Sequence, residues 1–150
     1  MHALIVFCHP EPRSFNGALK EVAVETLQRQ GYRVEVSDLY AEGFDPLERP
    51  GHYVERAEPE TFFPLTEQRS AFEGGTLPTD VKREIERLER ADLVILQFPL
   101  WWHAQPAMLK GWFDRVFVYG GLYSGRMRYD RGRFPGKKVM LSVTTGAPAP

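Results

Sequence analysis

The segment from Gln97 to Phe117, QFPLWWHAQPAMLKGWFDRVF, does most to limit what this chain can fold into. It continues a short apolar run, ADLVILQF from Ala91 to Phe98, bounded by charge. A run of that length without alternation fits a strand covered on both faces, as strands of parallel sheets are. Leu109, Trp112, Phe113, Val116 and Phe117 then recur at helical spacing, with Pro106 suited to the first turn because a proline's missing N–H has no partner there. Between strand and helix stand Pro99, Leu100, Trp101, Trp102 and His103. Ligands of open α/β sheets bind outside the carboxyl ends of strands, which is where this turn lies.

The rest of the chain repeats the same alternation. Ala3–Cys8 (ALIVFC) reads as a first buried strand, followed by helical periodicity through Phe15, Leu19, Val22, Ala23, Thr26 and Leu27 up to Gly31. Tyr32–Leu39 alternates as a strand near an edge would, with Val34 and Val36 on one face. From Ala41 to Pro78 there are prolines at 46, 50, 59, 64 and 78 and no sustained period beyond a short helix around Leu65–Phe72. Connections this long are usually functional or pack on a partner. Thr79 or Asp80 is placed to cap a helix carrying Val81, Ile85 and Leu88 on one face, with Lys82 and Glu86 spaced as an i,i+4 pair. Lys137–Thr144 (KKVMLSVT) reads as the fourth strand.

Strand–helix alternation with right-handed crossovers implies a parallel sheet covered on both faces. With strand two outside strand one, and strands three and four on the other side, the order is 2-1-3-4. Three loops then meet at the switch between strands one and three: His9–Asn16, Pro99–Gln105 and Thr144–Ala147. In the first, Ser14, Asn16 and the N–H groups of a helix N-terminus suit an anion. Ser14 as a plain helix cap and His9 as a surface residue explain that loop equally well. Trp101 and Trp102 can be ordinary packed rings, or with His103 can flank a planar heteroaromatic ligand. Trp112 and Phe113 follow the helical apolar stripe and read as core.

Composition narrows the partners. The chain has 150 residues, 43% of them hydrophobic, enough for one domain spanning 1–150. Lys plus Arg number 19 against 20 Asp plus Glu, so no global field favours nucleic acid or an anionic membrane. The arginines and tyrosines between Tyr119 and Lys138 lack any RNA-binding signature and read instead as a mobile loop over the site. Cys8 is the single cysteine, no Cys/His group has zinc-ligand spacing, and no run approaches the roughly 18–20 apolar residues of a membrane span. A soluble, cytoplasmic protein is the expectation. Neither GxGxxG nor a GxxxxGK[ST] phosphate loop occurs.

HPEPRSFNGALK, SDLY, QFPLWWHAQPAMLKGWFDRVF and KKVMLSVTTG together resemble the flavin-dependent NAD(P)H:quinone oxidoreductases of the DT-diaphorase type. The resemblance implies an α/β, flavodoxin-like doubly wound parallel sheet and a bound FAD, with FMN as the other possibility. His9, Ser14, Phe15 and Asn16 would then bind the diphosphate and AMP side. Pro99, Leu100, Trp101, Trp102 and His103 would cradle the isoalloxazine, and Thr144, Thr145, Gly146 and Ala147 would reach the ring. NADH or NADPH would donate hydride, and a quinone or similar small acceptor would receive two electrons by a ping-pong route. Tyr123 and His103 would position substrate, Tyr123 often from the other subunit of a homodimer.

A second pocket tyrosine of the family falls at Gly125, which implies a wider acceptor site. The family's proton-relay tyrosine and histidine, fifth strand and last helix lie beyond Pro150. The fourth strand, with Val139, Leu141 and Val143, is therefore expected at an uncovered edge. A shortened chain and cover by another subunit both remain open, as does a fragment that cannot retain flavin. The other class of function the resemblance allows is a flavin-binding electron carrier or a regulatory flavoprotein subunit of the potassium-efflux type.

Overall fold

The structure is a computed structural model and describes residues 1–146. Its elements are β1 (His2–Phe7), α1 (Phe15–Arg29), β2 (Arg33–Asp38), α2 (Pro64–Gly74), α3 (Thr79–Arg90), β3 (Leu93–Pro99), α4 (Ala107–Val116) and β4 (Lys138–Thr144). All strand pairs are parallel, in the order β2-β1-β3-β4. The register sets Ile5 between Val36 on β2 and Ile95 on β3.

Because side chains alternate along a strand, β1 and β3 supply both faces of the sheet. Leu4, Val6, Val94, Leu96 and Phe98 pack against Val81, Ile85 and Leu88 of α3 and Leu109, Trp112 and Val116 of α4. Ala3, Ile5 and Ile95 pack on the other face with Leu27, Ala23 and Val24 of α1, alongside Val34 and Val36. Trp112 is buried and Phe113 packs against the same core, as the helical stripe requires. Each fully buried leucine or valine contributes about 1.5–3 kcal/mol by leaving water. The last strand is different: Val139 and Leu141 are 63% and 61% exposed, and Met140 on the opposite face is also exposed.

The long connection before α3 is tied down by polar groups. Arg115, itself buried, donates to Asp45 O at 2.7 Å and to the Asp80 carboxylate. Pro46 lies directly on α4, where a Cβ at Gly111 would come within 2.1 Å of its carbonyl oxygen, so this contact requires glycine. Buried Glu67 of α2 gathers Arg56 Nε and Ala57 N at 2.8 Å each. Burial pushes its carboxyl up, but these donors outweigh that and hold it below the ordinary carboxylate range. On α3, buried Glu84 accepts from Ser37 Oγ at 2.7 Å, Trp112 Nε1 at 2.9 Å and Arg87 at 2.6 Å.

Three local expectations are corrected. Helix α3 begins after Pro78, which takes the N-cap position, so Thr79 and Asp80 lie inside its first turn, where the Asp80 carboxylate accepts from Val81 N at 2.9 Å and pairs with Arg115. Its ion pairs run from Arg83, Arg87 and Arg90 to Glu42, Glu84 and Glu35, and no Lys82–Glu86 pair forms among the described residues. The arginine-rich stretch after Tyr119 folds back on α3 through Arg133–Glu89 and Lys137 with the carbonyls of Leu88 and Ala91. It therefore does not lie over the crevice described next.

Candidate functional site

The three loops at the carboxyl edge enclose a crevice of about 740 Å³ lined by His9, Ser14, Phe15, Asn16, Pro99, Leu100, Trp101, Trp102, Thr144, Thr145 and Gly146. Ala147 lies outside the described residues. Every other residue expected to hold the cofactor is in this wall except His103, which is exposed at the tip of its turn.

At the first wall, Ser14 is the N-cap of α1, its Oγ accepting from Gly17 N at 3.1 Å. The two readings of Ser14 thus coincide, since the cap also faces the crevice. A helix supplies no acceptor for its remaining first-turn N–H groups, which with the dipole make this end attractive to an anion. Gly17 has no room for a Cβ, which would sit 1.9 Å from Pro12 O, so the loop can fold tightly over the helix start. His9 Nδ1 lies 3.1 Å from both N and O of Glu11, and its ring meets Trp101 at 6.1 Å between centroids. Donation from Arg13 N, then from its side chain, holds the exposed Glu11 carboxyl below its ordinary range. Below this loop, burial pushes the Cys8 thiol up to about 12, leaving a packed thiol rather than a nucleophile.

The second wall is a two-residue hairpin. Trp101 and Ala104 exchange backbone hydrogen bonds of 2.9 and 3.0 Å, and Trp102 and His103 between them have φ of 50° and 60°. Both residues are left-handed, a turn that normally selects Asn-Gly. Bulky residues held there cost about 1–3 kcal/mol each, strain that clusters at ligand clamps. The turn carries Trp102 out with 96% of its surface exposed. Trp101 N is committed to Ala104 O; the N–H groups of Trp102 and His103 have no protein acceptor among the described residues.

The third wall joins the other two. Leu100 N donates to Thr144 O at 2.8 Å. Buried Gln97 donates through Nε2 to Asn16 Oδ1 at 2.8 Å, and Asn16 Nδ2 donates to Thr144 Oγ1 at 2.8 Å. Gln97 was legible in sequence only as part of a strand; its signal is a lone amide inside the apolar run ADLVILQF. Tyr123 lies elsewhere, in a separate groove of about 450 Å³ with Leu65, Gln68, Phe113 and Phe117. Among the described residues no group of three or more His, Cys, Asp and Glu is arranged to hold a metal ion.

Comparison with known proteins places this geometry. Residues 1–150 match the family described as Flavodoxin-like fold, and the chain belongs to that family. It is 48% identical over 145 residues to NAD(P)H dehydrogenase [quinone] 1 of Cavia porcellus, covering 96% of this chain and 53% of that protein. A solved Klebsiella pneumoniae structure with the provisional name quinone reductase superposes with a TM-score of 0.90 at 44% identity, over 97% of this chain and 60% of that one. General stress protein 14 of Treponema denticola, solved in complex with FMN, matches at 25% identity with a TM-score of 0.61, over 99% of this chain and 64% of its own. The chain spans about half to two thirds of the length of the curated relatives it matches. No helix among the described residues is long and apolar enough to cross a membrane.

Proposed function

We propose that the crevice holds a flavin, FAD in preference to FMN, and that the protein is an NAD(P)H:quinone oxidoreductase. One observation carries this: three loops distant in sequence are hydrogen-bonded into a single wall around one crevice through Gln97, Asn16 and Thr144. The residues fit the group. The α1 N-terminus with Ser14 suits a diphosphate, the indoles of Trp101 and Trp102 suit a planar ring, and Thr144, Thr145 and Gly146 border where its polar edge would lie. Bound flavin supplies two-electron exchange between NADH or NADPH and a quinone or similar acceptor. The chain's own part is to bind, orient and stabilise charge, the last through the N–H groups of Trp102 and His103. The His103 side chain stands at the rim, placed to meet a substrate entering over the crevice.

A homodimer belongs to the same reading. Tyr123 faces its own groove, beside the exposed Leu65, and would reach a substrate in the partner subunit's crevice. A reducing cytoplasm is the proposed compartment, in keeping with a single buried cysteine.

The test is direct. The purified chain is incubated with FAD, passed through gel filtration and scanned for a flavin spectrum, then assayed for NAD(P)H oxidation with a simple quinone. Retained flavin with quinone turnover supports the proposal. Retained flavin without turnover points to an electron carrier or regulatory subunit, and a colourless protein removes the flavin reading.

A further inference from the structure

Gln97 is 2% exposed, yet its side chain reaches the crevice through two hydrogen bonds in series. Its donation to Asn16 Oδ1 leaves Asn16 Nδ2 turned toward Thr144, whose Oγ1 accepts. A hydroxyl that accepts a hydrogen bond still has its own proton to place, and that proton points away from the donor. We infer that Gln97 is a positioning residue that sets the direction of this relay, so that Thr144 presents its O–H to the crevice as a donor.

An asparagine amide fits its site almost equally well in either orientation, so its neighbours decide which end faces where. With the relay reversed, Asn16 Oδ1 would take the Thr144 proton, and the hydroxyl would offer the crevice only lone pairs. Gln97 is well placed to decide. Its backbone lies in register between Phe7 and Ser142, and its carbonyl accepts from Cys8 N at 3.0 Å, so the side chain projects from the rigid centre of the sheet. The ligand facing Thr144 then meets a donor, which suits the electron-rich heteroatoms of a flavin ring. The inference rests on the flavin reading above.

The test is a binding cycle on the purified chain with FAD as probe, read by quenching of flavin fluorescence, together with a thermal melt of each apo-protein. Gln97→Met keeps the volume and removes the donor, and should weaken FAD binding roughly tenfold, the worth of one hydrogen bond. Thr144→Val should weaken it similarly. The double variant should bind no more weakly than Thr144→Val alone, because Gln97 acts through that hydroxyl. Additive losses would assign Gln97 to packing and overturn the inference, as would wild-type affinity in Gln97→Met.

Should Gln97→Met not fold, Gln97→Glu gives a second readout. Its protonated carboxyl can donate as the amide does and its carboxylate cannot, so FAD affinity should fall as pH rises through that titration while the wild type stays flat. Parallel pH profiles would refute the relay. A wild-type chain that binds no FAD defeats the flavin reading and this inference with it, whereas tight wild-type binding with an indifferent Gln97→Met defeats this inference alone.

Discussion

Two buried polar clusters in this molecule are built on different terms. Around Glu84 a carboxylate collects donors from β2, α3 and α4, and every one of them is spent on protein acceptors, Arg87 reaching Glu35 and Glu42 as well. Around Asn16 the groups are neutral, the bonds run in series, and the last group borders the crevice. A cluster that consumes its donors internally holds elements together, whereas one that ends at a cavity wall keeps hydrogen-bonding capacity for something else. The first should therefore govern stability, and the second ligand affinity.

The largest test removes the carboxylate. Glu84→Ala leaves the buried Ser37 hydroxyl and Trp112 Nε1 without their shared acceptor, while Arg87 keeps Glu35 and Glu42, and should cost about 3–5 kcal/mol in denaturant unfolding. FAD affinity of the folded fraction should stay near wild type; a large loss would mean the clusters are not independent. Asn16→Ala breaks both bonds of the relay and should cost only about 1–2 kcal/mol of stability, while FAD affinity drops by an order of magnitude or more.

A smaller effect sharpens the contrast at the hairpin. Replacing Trp102 by Asn and His103 by Gly supplies the residues a left-handed turn prefers, and should stabilise the fold by about 1 kcal/mol. FAD binding should weaken at the same time, and a gain in both would show that the strain serves no ligand.

The smallest concerns Glu67, a closed cluster like that of Glu84 but serving a loop. Its carboxyl is held below its ordinary value of 4.5, so its contribution is complete above that pH and is lost as pH falls through the lowered value. Proteolysis between Val54 and Thr61 should accelerate on acidification over that range, and Glu67→Gln should remove the pH dependence.

These clusters also mark where sequence reading stops. The strands were legible because a strand buried on both faces leaves an unbroken apolar run, as in ALIVFC and LVILQF. The crevice was legible because the loops after β1, β3 and β4 must share one edge of a parallel sheet. Glu67, Glu84 and Arg115 were not, since a charged residue on a helix reads as solvated until its partners are known, and partners such as Arg56, Ser37 and Asp80 lie 11, 47 and 35 residues away. Asp80 illustrates the point: its position suggests only a local role, and it does accept from Val81 N at 2.9 Å, but the same carboxylate also takes the buried guanidinium of Arg115 from α4, which no local pattern announces. The separation of Tyr123 from its own chain's crevice is a matter of tertiary placement that no local pattern encodes.

The sheet order has a consequence for the timing of synthesis. β1 is made first but sits at the centre, and its pairing with β3 joins Ala3 to Leu93. After 38 residues it can pair with β2, yet its other edge stays open until the chain has grown past residue 97. Non-local pairings of this kind are slow to form. The crevice comes later still, because Thr144 closes the wall that Asn16 and Gln97 began. During translation, ligand capture therefore waits until synthesis has passed Thr144, and up to that point the nascent protein must keep its most apolar strand from aggregating without a ligand's help.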